Sequence, residues 1–579
     1  MYDRTFGWVQ NPSDFIKLKR TVQIFESNSS HYKNLKDIKI HEQIVYFDNI
    51  RDNLQNKLDN NIINFSYIDL VGSSKDKHGN APRNRSAAEA DSLIQISLVP
   101  QQWKRTGKMF SDNWTSDGFL RWAVTLNFIQ HDRNSDMFTI TDLGKEFAFT
   151  EDDSNEEQEL LINSLLKYPP ATQVLRILSE NDGYKTKFFI GNQLGFRGEK
   201  GFTSYDETLM IDWIKSAPEH EITSIRNDVE GTSDKYARMI STWLKKLGLI
   251  YSHSEKIEKN SGKFNNFMAY EITAKGKHSL RQANGFSSNS RVRKHVMWEF
   301  LATNGSNRNY VRTRRAHILK SLQETSSFNV LLDKLKQSGF DDDKYIINND
   351  IRGLSTFGLR IIQDGNTIEL KDLISDFTIP DLHINNILKD EASEKRKADY
   401  MRNTNLEPKY IELLEIAYDG NRNRDFEIIT AELFRKIYGL NSMILGGARK
   451  PDCLVFTNKF GIIVDTKAYS NGYSRSISQA DQMIRYIEDN KRRDSVRNPT
   501  EWWTEFDPKI HQNQFYFLWV SSKFIGTFEE QLDYTARETN TFGGALSVEQ
   551  LLTGADAVLK GTLDPNNLPN YMNNSEIIF

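Results

Sequence analysis

The order of elements repeats within this chain, and the repeat constrains its fold more than any other feature. SDGFLRWAVTLNFI, a polar gap and MFTITDLGKEF, over residues 116–147, are matched by SDKYARMISTWLKKLGLI, a longer gap and AYEITAKGKHSL, over 233–280. Each copy predicts an amphipathic helix N-capped at Ser-Asp, a short strand, a wing loop, a second strand and a Thr-x-x-Gly-Lys turn into another helix. NNDIRGLSTFGLRIIQDGNTIELKDLI, over 348–374, is a looser third copy. Helix, strand, wing, strand is the winged variant of the helix-turn-helix, whose helices enter or flank the DNA major groove. Modules of this kind also serve protein contacts alone.

At 579 residues the chain exceeds the ~100–200 of one domain, so the copies belong to a multidomain protein. The first module is expected over 1–150, where the acidic EDDSNEEQE stretch begins. The second runs over 151–285, to the GFSSNS segment, and the third over 286–379. Residues 380–402 read as a polar, charged helix or linker. The last domain, 403–579, carries strands flanked by helices: a helix near Arg424 to Gly439, a hairpin at 450–470, a helix from about Ser478 to Asn490, the strand QFYFLWVSS and a helix at Ser547 to Leu552. That order describes a small α/β domain with a mixed sheet, behind α+β winged-helix modules. The 34 Phe, 22 Tyr and 10 Trp supply large apolar surfaces and argue against disorder.

A single cysteine, Cys453, excludes an intrachain disulfide and a multi-cysteine zinc site, and a reducing cytoplasm is the simplest setting. The start lacks the charged and apolar regions of a signal peptide, and no run approaches the ~20 apolar residues of a membrane span. The net charge of -3 does not advertise nucleic-acid binding, so a basic surface must be local. Between 287 and 325, Arg291, Arg293, Lys294, Arg308, Arg312, Arg314, Arg315 and Lys320 face only Glu299 and Glu324. They form either such a surface or a solvated helix face.

The stretch KPDCLVFTNKFGIIVDTKAYS, 450–470, reads as strand, loop, strand. If the hairpin closes symmetrically about Thr457 to Phe460, Asp452 lies across from Asp465, with Cβ atoms roughly 5 Å apart. Lys467 shares the face of Asp465. Like charges opposed on a sheet need a compensating partner, and a divalent cation is the obvious one. Mg²⁺ takes carboxylate, phosphate and water oxygens and withdraws charge from a phosphorus under attack, while Lys467 could orient the attacking water or neutralise developing charge. Pro-Asp followed at a distance by Asp-Thr-Lys resembles the PD-(D/E)xK nuclease motif, although a strand-entry turn with solvated edge residues would leave the same trace.

Long ordered segments in both halves carry a more specific likeness. TFGWVQNP at Thr5, SDGFLRW at Ser116, SDKYARMI at Ser233, YVRTRRA at Tyr310, YIELLEIA at Tyr410, RKPD at Arg449, IVDTKAYS at Ile463 and the QAD at Gln479 are similar to segments of the FokI-like type IIS restriction endonucleases. The resemblance implies winged-helix recognition subdomains, with the third in a regulatory or protein-contact role, joined to a nonspecific nuclease domain. Such an enzyme cuts DNA at a fixed distance outside an asymmetric site. It implies Asp452, Asp465 and Lys467 as catalytic residues, with Asp452, Asp465 and the Thr466 carbonyl as ligands of Mg²⁺. Glu427 matches a family Glu that could serve the metal shell, or it is an ordinary acid near a helix N-terminus.

In the recognition half the resemblance assigns Gln10, Asn11, Arg85, Gln95 and Trp114 of the first module, and Asn227, Glu230, Lys235 and Arg238 of the second, to the DNA. Arg and Lys suit guanine, Asn and Gln adenine, and Glu cytosine, but any of these residues could position the complex through phosphate instead. The implied target is GGATG. A longer, more polar 73–85 segment and Val229 in place of a family Trp are departures that could shift it, and linker differences over 380–405 could move the cut. The resemblance also implies a transient homodimer through Asp481 and Arg485, which as an i, i+4 pair could instead bond within their own helix. A cognate DNA methyltransferase is the implied companion in a bacterial cytoplasm.

Two other readings compete: a winged-helix regulator with a relic nuclease domain, and a repair or transposition nuclease. The intact Asp452, Asp465 and Lys467 speak against the first, and the lack of an obvious D-D-E arrangement against the second. No Walker A or GxGxxG fingerprint is present, so neither ATP nor S-adenosylmethionine is expected.

Overall fold

A computed structural model describes the chain apart from residues 45–46, 99–100, 103–108, 111, 229–230, 260–261, 286–290, 382–390 and 475–476. The repeat seen in the sequence is a structural repeat. In the first module the Phe65–Ser66 strand pairs with Met137–Ile140, and Ser66 caps the Tyr67–Val71 helix in a reciprocal capping box with Asp69. The Asn113–Thr125 helix then leads into the Ile129–Asp132/Met137–Ile140 hairpin and the Asp142–Phe149 helix. The second module repeats this with Lys185–Thr186 against Phe264–Ile272, Thr186 capping Lys187–Gly191, and the Thr232–Lys246 helix. Its hairpin, Ile250–Glu258/Phe264–Ile272, is followed by the Ala274–Asn284 helix. In the third, Ser327 bridges to Thr367 and caps Phe328–Gln337 ahead of the Lys344–Phe357 helix and the Ile361–Asp364/Thr367–Leu370 hairpin.

Shared turn chemistry explains the shared path. The long helices end at Asn127, Gly248 and Gly358, all with positive φ. After each of the first two hairpins a threonine, Thr141 or Thr273, accepts the amide of Gly144 or Gly276 and starts the next helix. A Cβ at either glycine would lie 2.0 Å from the Phe128 or Leu249 carbonyl, so this close approach requires glycine. The helix starts differ from the sequence expectation. Asp112 caps the first helix by accepting the Thr115 amide, and Gly231 precedes the second, so Ser116 and Ser233 are buried inside the helices. The copies align at the helix C-termini, where Trp122 and Trp243 occupy equivalent places and stack with centroids 4.7 Å apart.

The run of cations over 291–320 is in large part neither a basic surface nor a solvated face. Lys294, Arg312, Arg314 and Arg315 are buried. Arg314 pairs with Asp342 at 3.0 Å and Asp350 at 2.6 Å, Arg315 with Asp350 at 2.8 Å, and Arg312 with Asp3 at 2.7 Å. Their helix, Arg308–Leu322, packs in the middle of the assembly, where an ion stripped of water must be paired. Of the expected linker, Glu391–Asn403 is helical, and its Lys397 meets Glu412 and Glu415 at 2.8 Å each.

The last domain holds a five-stranded sheet in chain order: Asn441–Ile444, Cys453–Phe456, Gly461–Lys467, Phe515–Ser521 and Gly543–Ser547. The first two pairings are antiparallel and the last two parallel, the mixed sheet expected. The Asn423–Lys436 and Val548–Leu559 helices bury Ile462, Val464 and Val520 on one face, while Ile477–Arg492 and Phe528–Thr539 cover Leu454, Ile463 and Trp519 on the other. No helix among the described residues is long and apolar enough to cross a membrane.

Candidate active site and nucleic-acid interface

In the Cys453–Phe456/Gly461–Lys467 pair, Cys453 faces Val464 and Phe456 faces Gly461. One residue further in the same register places Asp452 opposite Asp465. Asp452 Oδ2 accepts the Thr466 amide at 2.7 Å and its hydroxyl at 3.0 Å. The N–H and C=O of one strand residue leave on the same side, so the Thr466 carbonyl leaves from the strand edge that faces Asp452. Asp465 is 1% exposed, pairs with the Lys467 ammonium and sits on the sheet face covered by Ile477–Arg492. The Lys467 ammonium also stands 5.5 Å from the Trp519 ring centroid.

The electrostatics are those of a site with surplus negative charge. Burial, and next the charge of Asp452, push the Asp465 carboxyl well above the usual carboxylate range, with Lys467 offsetting only part. Burial and Asp452 raise Glu427 in the same way, against its partner Arg424 and Lys467. Burial alone would lower Lys467, but Asp465 and Asp452 outweigh it and hold the ammonium charged. Glu427 thus feels the charge of Asp452 while pairing with Arg424 on its own helix. Among the described residues no group of three or more His, Cys, Asp or Glu side chains is arranged to hold a metal. The donor set is two carboxylates and a main-chain oxygen, all hard ligands suited to a divalent ion that retains water.

Sequence reasoning missed the residues that enclose this site. Tyr486, on the Ile477–Arg492 helix, hydrogen-bonds Gln482; burial and then Asp465 raise its hydroxyl to about 12. Lys450, two residues before Asp452, is buried and pairs with Glu221 of the second module at 2.7 Å. Around it the last domain is docked on that module: Trp213 Nε1 donates to the Leu445 carbonyl at 3.0 Å, Arg435 meets Asp212 at 2.8 Å, Lys436 meets Asp206 at 2.9 Å, and the Tyr205 hydroxyl bonds Asp425. Lys450 lies inside the RKPD segment, whereas nothing in the sequence around Glu221 marked it.

The candidate recognition residues fall into three groups. Gln10, Asn11 and Trp114 line one cleft of about 330 Å³ with Arg121 and Tyr236, between the Asn113–Thr125 and Thr232–Lys246 helices. The segment carrying Gln10 and Asn11 is fixed there because Trp243 Nε1 donates to the Pro12 carbonyl at 3.0 Å. Trp114 is 57% exposed at its rim, and Lys235 and Arg238 are half-buried on the Thr232–Lys246 helix. Arg85 pairs with Asp112, while Gln95 is buried with its oxygen accepting the Asp91 amide and Ser92 hydroxyl, so it does not reach the surface. Asn227 lies on the Glu219–Asp228 helix, and its side chain, like Glu230 and Val229, lies outside the described residues. Asp481 and Arg485 are both exposed on Ile477–Arg492, with no ion pair joining them among the described residues.

The chain matches four family models: FokI recognition domain subdomain 1 over 4–150, FokI recognition domain subdomain 2 over 157–288, the FokI D3 domain over 301–366 and the FokI cleavage domain over 388–578. It is 41% identical to the type II restriction enzyme FokI of Planomicrobium okeanokoites, across 100% of this chain and 99% of that one. It is 31% identical to the type II restriction enzyme StsI of Streptococcus sanguinis, across 94% and 91%. Among solved structures it superposes on restriction endonuclease FokI with TM-score 0.87 at 40% identity, and on FokI bound to DNA with TM-score 0.89 at 39%, each covering 100% of both chains.

Proposed function

The chain belongs to the FokI family of type II restriction endonucleases, site-specific deoxyribonucleases that bind and cleave DNA, and from that premise we propose that it recognises an asymmetric site, GGATG, and makes a Mg²⁺-dependent double-strand cut at a fixed distance to one side. The observation that carries the reading is the opposition of Asp452 and Asp465 at one end of the sheet with Lys467 on the same face. The buried Asp465, whose carboxyl the neighbouring Asp452 charge pushes up, fits a cation that would replace its proton and be held by Asp452, Asp465 and the Thr466 carbonyl. When bound, Mg²⁺ supplies charge neutralisation at a phosphodiester under attack. Lys467 orients the attacking water and stabilises the charge that develops on the phosphate. Arg424 and Glu427 brace the Asp452 side of the site.

In this division of labour, residues 1–150 and 151–285 read the site, 286–379 regulates, 380–402 links and 403–579 cuts. Gln10, Asn11, Trp114, Lys235 and Arg238 are the residues whose placement suits DNA contact. The docked nuclease domain keeps cutting dependent on recognition, and release lets two nuclease domains pair through the exposed Asp481 and Arg485, so that each cuts one strand. The test is a Mg²⁺ titration on matched duplexes with GGATG present or scrambled. Cleavage confined to the first, and abolished by chelation, supports the proposal; equal cleavage of both refutes the target, and cleavage in chelator refutes the metal.

A further inference from the structure

A groove of about 950 Å³ lies between the second and third modules, and none of the candidate recognition residues lines it. Its walls are the Pro169–Glu180 helix, the Ala274–Asn284 helix and the Leu359–Ile362 edge of the third hairpin. Arg176, Lys277, Arg281, Arg291, Arg360 and Lys371 line it, with Glu180 the one acid among the lining residues. Two of these cations are spent nearby: Arg360 on Asp372 at 2.9 Å, and Lys371 on Glu369. Lys277 and Arg281 stand exposed one turn apart on the same helix, with no carboxylate partner among the described residues. Deeper in, Arg176 donates to Gln173 and Arg291 to the Lys371 carbonyl, yet the Nε of each is buried with no acceptor among the described residues.

In a chain of net charge -3 this excess of cations is local, and the two orphaned guanidinium donors point to a ligand with anionic oxygens. A charged rim at helical spacing over fixed arginines matches a phosphodiester backbone. The Pro169–Glu180 helix packs against Thr232–Lys246 as well as against Ala274–Asn284 and Lys344–Phe357, and no residue of Thr232–Lys246 lines the groove, so the groove and that helix offer different residues to a ligand. We propose that this groove is an accessory, sequence-independent surface for the phosphate backbone of a second DNA segment, used while the recognition face holds its own site. The inference rests on the reading of the chain as a DNA-recognition protein.

The test uses the full chain with divalent cations chelated, retained on an immobilised short duplex carrying GGATG. A fluorescent duplex lacking that sequence is then added, and its capture is measured against salt. The expected result is capture that Lys277→Glu/Arg281→Glu weakens by at least about tenfold at ~0.1 M salt. The slope of log affinity on log salt should fall by about 0.9 for each phosphate that the variant no longer neutralises. Affinity for the site-bearing duplex should stay unchanged, which shows that the variant folds. Absence of capture, or capture indifferent to the double substitution, overturns the groove. Capture abolished by millimolar inorganic phosphate beyond its ionic-strength effect also overturns it, in favour of a small-anion pocket. Failure of the unsubstituted chain to stay on the first duplex refutes the recognition reading instead.

Discussion

Replacing Glu221 by Ala should weaken the docking of the nuclease domain while leaving Asp452, Asp465 and Lys467 unaltered. Glu221 accepts from Lys450 at 2.7 Å, and in the docked state Lys450 is only 6% exposed. Removing the partner of a nearly buried ammonium costs about 1.5–3 kcal/mol, scaled down from a fully buried pair because Glu221 is itself part-exposed. The undocked state, where Lys450 is hydrated, is unaffected. The docked-to-undocked ratio should therefore fall by about tenfold to about a hundredfold, at 1.4 kcal/mol for each factor of ten. The remaining pairs, Arg435 with Asp212, Lys436 with Asp206 and Trp213 with Leu445, keep docking from being abolished. Small-angle scattering of the DNA-free protein reads the change as a larger radius of gyration, and nicking of a plasmid lacking the site should rise in parallel. A Glu221→Lys/Lys450→Glu exchange should recover the compact scattering profile. An unchanged profile in Glu221→Ala, or no recovery in the exchange, would refute the reasoning.

Asp452→Ala should lower cleavage by more than about a thousandfold, the effect expected when a metal ligand and its charge leave, while gel-shift affinity for the site duplex stays the same; normal cutting would dismiss the assignment. Reversing either Asp481 or Arg485 should slow double-strand cleavage and leave site binding intact, as read by nicked against linear plasmid, and an unaffected rate would return both residues to surface roles. Because Asp465 holds its proton well above the usual carboxylate range, Mg²⁺ must displace that proton to bind; affinity measured by calorimetry should rise up to about tenfold per pH unit below the raised value and then level off. The sign for folding is opposite: without metal, the contribution of the Asp465 and Glu427 carboxyls to stability is fully present below the ordinary carboxylate pKa of ~4 and is lost as pH rises through the raised values. Gly276→Ala should cost about 1–3 kcal/mol by forcing a Cβ against the Leu249 carbonyl, seen as faster amide exchange in Ala274–Asn284.

The parts of this protein legible in its sequence are those written in local chemistry. The hairpin register followed from the length of the Thr457–Phe460 loop, and the Thr-x-x-Gly turns marked two helix starts after the wings. Ser-Asp was a misleading helix start, because Asp112 supplies an earlier cap and the Trp122–Trp243 stack, which joins distant segments, sets the alignment of the copies. The cations over 291–320 could not be placed from composition, since their partners Asp3, Asp342 and Asp350 come from other parts of the chain. The sequence placed Gln95 at or near the DNA without showing that its oxygen would accept the Asp91 amide and the Ser92 hydroxyl beside it, a burial set by the local fold. Glu221 was invisible for the same reason as the ion pairs: its meaning depends on the docking of two domains.

The central claim is that Asp452 and Asp465 form a nuclease site delivered to DNA by upstream modules at a set distance. Mapping every cut end on both strands of a long DNA of known sequence, with Mg²⁺ as the added cation, tests it most directly. The account predicts ends at one constant offset on each strand, on one side of an asymmetric sequence, and none with Asp452→Ala. Ends scattered without relation to sequence, or a full cutting pattern from Asp452→Ala, would contradict it.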